Sequence, residues 1–252
     1  MGVIDSIIDE ALSYANKQKI SKVVIGCSAT YVELSDGFAG IAYTNSSGSC
    51  SGIRPELVGH LKGIRVEDAV QLLESPRSIE VSVGLSVINA LLNRLDEDVV
   101  EADIMEMMKP QPSDVVGFVG YFGDYTKKLV GRVKDVLVLE VREIEVPGIK
   151  VYPWWAFNSF LKSVNKLYIT GSSITNHTIE YLLVFSSEIK DKAVIGPSTP
   201  LARRTFSKYG VKLLGSSIVI NKDLCKNLIL EGGSVKDLFR CKCLKKVCMK
   251  LL

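Results

Sequence analysis

The sequence predicts an α/β protein, in which a small α+β unit precedes a Rossmann-like unit with a mostly parallel sheet. Early in the chain, short strand-like segments are separated by turn residues, which is typical of an antiparallel meander. Beyond residue 114, continuous apolar strands alternate with helical segments, which indicates a parallel sheet covered on both faces. The stretch 94–113, rich in acidic residues and proline, separates the two patterns. We therefore predict domains at 1–98 and 99–252.

The N-terminal part begins with an amphipathic helix, because Ile4, Ile7 and Ile8 recur at helical spacing. Three strand-like segments follow and predict a three-stranded antiparallel meander with a turn at 35–37. A loop of small polar residues and several helices complete this part. The predicted elements are strands at 23–25, 31–34 and 38–44, a loop at 45–52, and helices at 55–62, 66–74 and 79–91.

The second part repeats a strand followed by a helix. Its predicted strands are 115–119, 136–139, 166–170, 193–195 and 211–214, and its predicted helices are 126–132, 157–163, 174–185 and 201–208. Parallel strands bring their carboxyl ends to one edge of the sheet, where proteins of this class bind ligands. We therefore expect the functional residues in the loops that follow these strands.

Composition excludes several classes of protein. A net charge of +3 over 252 residues is too small for a nucleic-acid footprint. No stretch has the length of a membrane span, and Asp5, Asp9 and Glu10 interrupt any signal-peptide core. Six cysteines without a secretory signal indicate reduced thiols. These features predict a cytoplasmic protein with neither nucleic-acid nor membrane partners, and they leave a homo-oligomer open.

The loop after the first strand of the second part contains Gly120 and Gly123, but it lacks the full G-x-G-x-x-G pattern. Bulky Tyr121 and Phe122 stand where a pyrophosphate needs close backbone approach, which argues against NAD or FAD. The alternative is a glycine-assisted turn into a helix capped by Asp124. The next strand ends at Glu140, which we interpret either as an acceptor for a ligand hydroxyl or as a solvated carboxylate.

Two further loops are rich in small polar residues. Thr170 to Ser173 offer hydroxyl and backbone N–H groups at the start of a helix, where Asn176 and Glu180 share one face. This is more than helix capping requires, so we favour contact with a small polar ligand. The loop Gly196 to Thr199 is stiffened by proline and has no acid or base. We interpret it as a rigid polar wall of the same site.

These motifs, together with 195–201 and 209–216, resemble the DUF364 family, which is labelled "putative heavy-metal chelation". The segments Tyr31–Leu34, Ala39–Tyr43 and 84–92 resemble its usual partner, DUF4213. The two resemblances together cover roughly residues 5–222. Their order and spacing are more specific than any single motif.

The resemblance implies an N-terminal domain like that of enolase, a Rossmann-like domain, and a ligand site in the cleft between them. The implied activity is the making or handling of a small metal chelator of the siderophore or pterin kind, so a metal ion or metal chelate is the candidate cofactor. The residues that would line the cleft are Glu33, Tyr43, Asn89, Gly120, Asp124, Glu140, Thr170, Gly171, Ser172, Ser173, Asn176, Glu180, Gly196, Pro197, Ser198 and Thr199.

The C-terminal tail carries Cys241, Cys243 and Cys248, and thiolates bind soft metals. Structural zinc sites usually have two tight cysteine pairs, and this tail has one. We therefore favour an amphipathic helix that docks through Leu238, Phe239, Leu244, Val247 and Leu251. The aromatic segment Tyr152–Trp155 is interpreted as a site wall, with a core plug as the alternative.

Three functions remain open from the sequence. The first is an enzyme that acts on a small polar molecule, with Glu33 and Glu140 as acid–base groups. The second is a non-catalytic protein that binds a metal–chelator complex or a small anion. The third is a soft-metal protein that uses the tail cysteines. A cleft carboxylate with a raised pKa beside another titratable group would favour the enzyme.

Overall fold

The computed structural model describes residues 2–45 and 52–251. The loop predicted at 45–52 falls mostly outside the described residues, and so does Cys50. None of the helices in the described part of the chain is long and apolar enough to cross a bilayer.

The N-terminal unit consists of a three-stranded antiparallel sheet with helices on one face. The elements are α1 (Val3–Leu12), β1 (Ile20–Ile25), β2 (Ala29–Leu34), β3 (Ala39–Tyr43), α2 (Val66–Ala69) and α3 (Ser78–Leu92), with 3₁₀ turns at Pro55–Leu57 and Val70–Glu74. The predicted meander is confirmed, with strand order β1-β2-β3. Strand β3 and helix α3 approach so closely that a Cβ on Gly40 would collide with the backbone at Ala90, so glycine is required there.

The C-terminal unit is built on an eight-stranded, mostly parallel sheet. Its elements are β4 (Val99–Val100), α4 (Ile104–Met108), β5 (Val115–Val119), α5 (Asp124–Leu129), β6 (Asp135–Glu140), β7 (Lys150–Pro153), α6 (Phe157–Ser163), β8 (Lys166–Thr170), α7 (Ile179–Phe185), β9 (Asp191–Ile195), α8 (Arg203–Lys208), β10 (Leu213–Val219), α9 (Lys222–Leu230), α10 (Val235–Arg240) and β11 (Leu244–Lys250). Further 3₁₀ turns lie at Trp154–Ala156 and Gly171–Ile174. The predicted fold class is therefore confirmed.

The strand order is β4-β11-β10-β9-β8-β5-β6-β7, and β7 through β10 lie parallel to β5 and β6. Numbered along the chain, these six strands have the Rossmann order 3-2-1-4-5-6. The order reverses between β5 and β8. Because such reversals open a crevice at the carboxyl ends of the strands, this position is the expected ligand site.

One prediction about elements was wrong, and strand β7 was not predicted. The tail is not a docked helix, because Leu244–Lys250 forms strand β11, antiparallel to β10, while Leu238 and Phe239 lie in α10. The segment at 152 and 153 belongs to strand β7 at the edge of the sheet. In both cases the strand is specified by pairing with a distant partner, which local spacing does not reveal.

The main hydrophobic core is continuous through both units. One cluster of buried side chains extends from Val3 and Leu85 in the N-terminal unit to Leu167 and Val247 in the large sheet. A smaller cluster covers the opposite face of that sheet, beneath α4 and α5. The large sheet is thus covered by buried side chains on both faces, and the main core also joins it to the N-terminal unit.

Candidate functional site

A cavity of about 340 Å³ opens at the point where the strand order reverses. The loops after β5, β6 and β8 form its sides, and Tyr43 from β3 faces them across the gap between the units. Its lining includes Tyr43, Gly120, Tyr121, Phe122, Glu140, Val141, Arg142, Trp154, Thr170, Ser172, Ser173, Asn176 and Thr178. The structure therefore brings eight of the sequence-predicted site residues to one place: Tyr43, Gly120, Glu140, Thr170, Ser172, Ser173 and Asn176 at its wall, and Gly171 within the same turn.

The loops after β5 and β8 touch each other at a glycine. Gly120 has a φ of +89°, and a Cβ there would lie 3.2 Å from Cγ2 of Thr170. A side chain at this position would strain the backbone and would crowd the loop opposite. Gly120 therefore serves the close approach of two loops, in addition to the turn that the sequence predicted.

The hydroxyl groups of the loop after β8 are ordered by the turn itself. Thr170 Oγ1 accepts from the Ser172 N–H at 3.3 Å, and the two hydroxyls lie 2.9 Å apart. Ser173 Oγ donates to the Thr170 carbonyl at 2.6 Å. Thr170, rather than Ser172 or Ser173, is thus the cap of this turn. The Thr170 and Ser172 hydroxyls still face the cavity as a paired donor and acceptor.

Glu140 is an acceptor whose oxygens are already occupied. Oε2 accepts from the Tyr121 N–H at 3.0 Å and from Arg142 Nη2 at 3.1 Å, and Oε1 accepts from the Val141 N–H at 2.9 Å. Burial raises the pKa of this carboxyl, but the hydrogen bonds from Arg142 and from backbone amides bring it below its ordinary value. Glu140 is therefore ionised at neutral pH, and it ties together the loops after β5 and β6.

Among the described residues that line the cavity, Arg142 is the one with a cationic side chain. It was not among the site residues predicted from the sequence. Its side chain is 71% exposed, and it binds Glu140 through Nη2. A guanidinium has five N–H donors, so several of them stay available to an anion in the cavity. The signal in the sequence was its position two residues after a strand-end carboxylate.

Aromatic side chains form the apolar walls of the cavity. Trp154 lines it and stacks on Phe157 with ring centroids 6.2 Å apart. Tyr152 instead packs edge-on against buried Phe160. The predicted aromatic segment thus contributes one residue to the site wall and one to the core.

Glu33 and Glu140 are not brought together. Glu33 lies on β2, where Tyr31 Oη donates to Oε2 at 3.0 Å and Lys222 Nζ to Oε1 at 3.0 Å. Burial raises the pKa of Glu33, whereas the bonds from Lys222 and Tyr31 lower it, and the net value is below the ordinary one. Glu33 does not line the cavity at the β5–β8 reversal. Glu33 instead links β2 to α9 through Lys222, and its role as an acid–base group stays a prediction.

The other predicted site residues do not line this cavity. Ser198 Oγ accepts from the Tyr43 N–H at 2.7 Å, and Asn89 Nδ2 donates to the Ile41 carbonyl at 2.7 Å. Glu180 accepts from the Val3 N–H at 2.8 Å, which caps helix α1. Asp124 begins α5 without a side-chain cap bond. The loop Gly196, Pro197, Ser198 and Thr199 forms one of the contacts between the two units.

Cys248 lies apart from the other tail cysteines, whereas Cys243 interacts with Cys225 and Cys241. Cys243 Sγ donates to the Leu238 carbonyl at 3.1 Å, and Cys248 Sγ donates to the Ala102 carbonyl at 3.3 Å, in different clusters of the core. Burial raises the pKa of the Cys248 thiol to about 11, which disfavours the thiolate that metals bind. Within 2–45 and 52–251, no three His, Cys, Asp or Glu side chains are grouped to hold a metal ion.

The fold and the cavity define a class: a Rossmann-like α/β protein with a polar cavity at the reversal of strand order, which Tyr43 of an N-terminal α+β unit also lines. The chain belongs to the DUF364 family, whose model, described as "Putative heavy-metal chelation", matches residues 103–248. The DUF4213 model carries the same description and matches residues 8–92.

Solved structures of the same family are similar over the whole chain. A DUF364 protein of unknown function from Desulfitobacterium hafniense is 23% identical with a TM-score of 0.83, and 98% of each chain is covered. One from Pyrococcus horikoshii is 19% identical with a TM-score of 0.83, and 99% of this chain and 100% of that chain are covered. At these identities the likeness concerns the fold alone. No curated protein matches the chain.

Proposed function

We propose that this protein binds a small anionic ligand of the metal-chelator type in the cavity at the β5–β8 reversal. The observation that carries the proposal is the combination of Arg142 with the Thr170–Ser172 hydroxyl pair around one space. Guanidinium and hydroxyl donors are the groups that recognise carboxylates and similar anions. The aromatic walls at Tyr121 and Trp154 would cover the apolar faces of such a ligand.

The charges around the cavity favour binding over acid–base catalysis. The carboxylate among its described lining residues, Glu140, has a lowered pKa and is saturated with hydrogen bonds. It therefore has no proton to donate at neutral pH. The donor set also does not fit a bare metal ion, because no cluster of protein ligands is present in the described residues. A metal would enter this site already held by its chelator.

The test uses citrate, a polycarboxylate chelator, and its ferric complex as probes. Titration calorimetry and ligand-induced thermal shifts should show binding that Thr170→Val and Arg142→Met each weaken about tenfold, the value of one charge-assisted hydrogen bond. Circular dichroism should stay unchanged in both variants. Exposed Arg132 supplies the matched control, since Arg132→Met removes a cation outside the cavity.

Two results would count against the proposal. One is that citrate and ferric citrate bind the two cavity variants as tightly as the wild type. The other is that Arg132→Met weakens binding as much as Arg142→Met, since that would reduce the effect to overall charge. Native mass spectrometry of the purified protein would identify a ligand of different chemistry.

A further inference from the structure

A second cavity, of about 150 Å³, lies beside the first on the same edge of the sheet. It is lined by the carboxyl end of β9, by the middle of β10, by β11, and by α4, α5 and α10. Phe122 is the one described residue that lines both cavities. The second cavity therefore has its own floor and walls, and the function proposed above does not involve it. Of the cleft residues that the resemblance implies, Gly196 and Pro197 line this second cavity.

The interior of the second cavity is apolar. Ile104, Ile195 and Val247 form much of its surface, and Gly215 leaves space that a Cβ would close against Ile104. Its polar groups are already bonded within the protein. Ser216 Oγ donates to the Thr199 carbonyl at 2.5 Å, and Cys248 Sγ donates to the Ala102 carbonyl. This interior suits an apolar group better than ordered water.

The mouth of the cavity is aromatic and cationic. Phe122, Tyr125 and Phe239 surround it. The exposed ammonium of Lys246 lies 2.9 Å from Tyr125 Oη and 5.7 Å from the centroid of the Phe239 ring. An ammonium has three N–H donors, so donors remain after the bond to Tyr125. A ligand that fills the interior would meet a positive charge where it emerges.

We propose that this second cavity binds a single aromatic ring that carries an anionic substituent, as in benzoate. An apolar protein cavity of roughly 150 Å³ is known to hold a benzene-sized molecule and to stay free of water when empty. The three aromatic side chains favour edge-to-face contacts with the ring. Lys246 Nζ binds the carboxylate at the mouth, and this charge separates benzoate from uncharged rings of the same size.

The test is a benzoate titration followed by NMR on protein labelled at the isoleucine δ1-methyl groups. We expect the methyl signals of Ile104 and Ile195 to move, and the signal of Ile41, buried in the other unit, to stay. Acetate, which has the charge without the ring, should leave all three signals in place. Lys246→Met should weaken benzoate binding about tenfold. Lys250→Met, on the same strand and exposed, should bind like the wild type.

Further variants distinguish this site from the larger cavity. Ala102→Phe places a ring at the mouth and should abolish the benzoate shifts, whereas Thr170→Val should leave them intact. If Ala102→Phe does not fold, the comparison of Lys246→Met with Lys250→Met decides whether benzoate binds at this cavity. Three outcomes would overturn the proposal: Ile104 and Ile195 unmoved at saturating benzoate, equal shifts with acetate, or unchanged affinity in Lys246→Met. None of these outcomes bears on the binding of citrate.

Discussion

Glu80 is a buried carboxylate in the first turn of helix α3, and it binds two segments that precede this helix. Its side chain is completely buried, and it accepts from the Arg54 N–H at 2.7 Å, from Arg54 Nε at 3.0 Å and from Ser75 Oγ at 2.7 Å. Burial raises the pKa of this carboxyl, but the bonds from Arg54 and Ser75 outweigh it and set the pKa at about 2. A buried charge with this many donors is stable only in its ionised form.

Acid should therefore weaken the fold through Glu80. The folded pKa is depressed from 4.5 to about 2, so the stabilisation is complete above pH 4.5 and is lost as the pH falls toward 2. Glu80→Gln should lower the free energy of unfolding at pH 7 by up to about 3 kcal/mol, and the difference from wild type should shrink at pH 2. Urea unfolding between pH 7 and pH 2 measures both. Glu97→Gln, at an exposed carboxylate outside this cluster, is the control, and a constant difference at every pH would refute the assignment.

At the cavity, the sequence predicted which residues stand at the strand ends but not what each of them does. Glu140 follows from the end of an apolar strand, and Thr170 to Ser173 follow from the end of another. The hydrogen bonds that saturate Glu140 depend on the backbone conformation of the loop after β6. Two of its donors are amides of that loop, and a third is the Tyr121 N–H. Such bonds depend on backbone conformation and leave no pattern in residue type.

Among the elements, β11 shows where local patterns fail. The meander and the parallel strands were predicted because each has its own alternation or apolar run. Strand β11 instead owes its conformation to the exposed edge of β10, with which it pairs from Val219 and Leu244 to Leu213 and Lys250. The boundary between domains at residues 98 and 99 stays a prediction. Strand β4 follows it directly and pairs with β11.

The C-terminal strand should be essential to stability. Met249 is 3% exposed and belongs to the main core, whereas its neighbour Lys250 is exposed. Met249→Ala should lower the free energy of unfolding by about 2–5 kcal/mol, through lost burial and a new cavity. Lys250→Ala should change it by less than about 0.5 kcal/mol. Chemical denaturation measures both, and an equally small effect in the two variants would mean that this segment does not belong to the core.

At the scale of the molecule, the two units are joined by polar side chains that bond to backbone groups. Glu10 Oε2 accepts from the Thr205 N–H at 2.7 Å, Glu180 caps α1, and Ser198 accepts from the Tyr43 N–H. With the continuous core, these bonds hold the cavity wall at Tyr43 against the large sheet. The loop Gly196 to Thr199, which the sequence predicted as a wall of the site, therefore orients Tyr43, and Tyr43 faces the cavity.

Asn93 forms a further polar contact between the two units, and this contact should be the most sensitive to substitution. Asn93 lies 3% exposed at the end of α3, where Oδ1 accepts from the Leu201 N–H at 2.8 Å and Nδ2 donates to Ser216 Oγ at 2.8 Å. Asn93→Ala leaves the Leu201 N–H buried without a partner and should lower the free energy of unfolding by about 2–3 kcal/mol.

Urea unfolding of wild type and Asn93→Ala tests whether this contact couples the two units. Tryptophan fluorescence reports only on the C-terminal unit, since both tryptophans are at 154 and 155, while circular dichroism reports on the whole chain. The two signals should coincide in the wild type, because one core spans both units, and both should move to lower urea in the variant. Asn158→Ala, exposed on α6, should leave the transition in place. Separate transitions in the wild type would show that the two units fold independently. An unmoved midpoint in Asn93→Ala would show that Asn93 does not couple them.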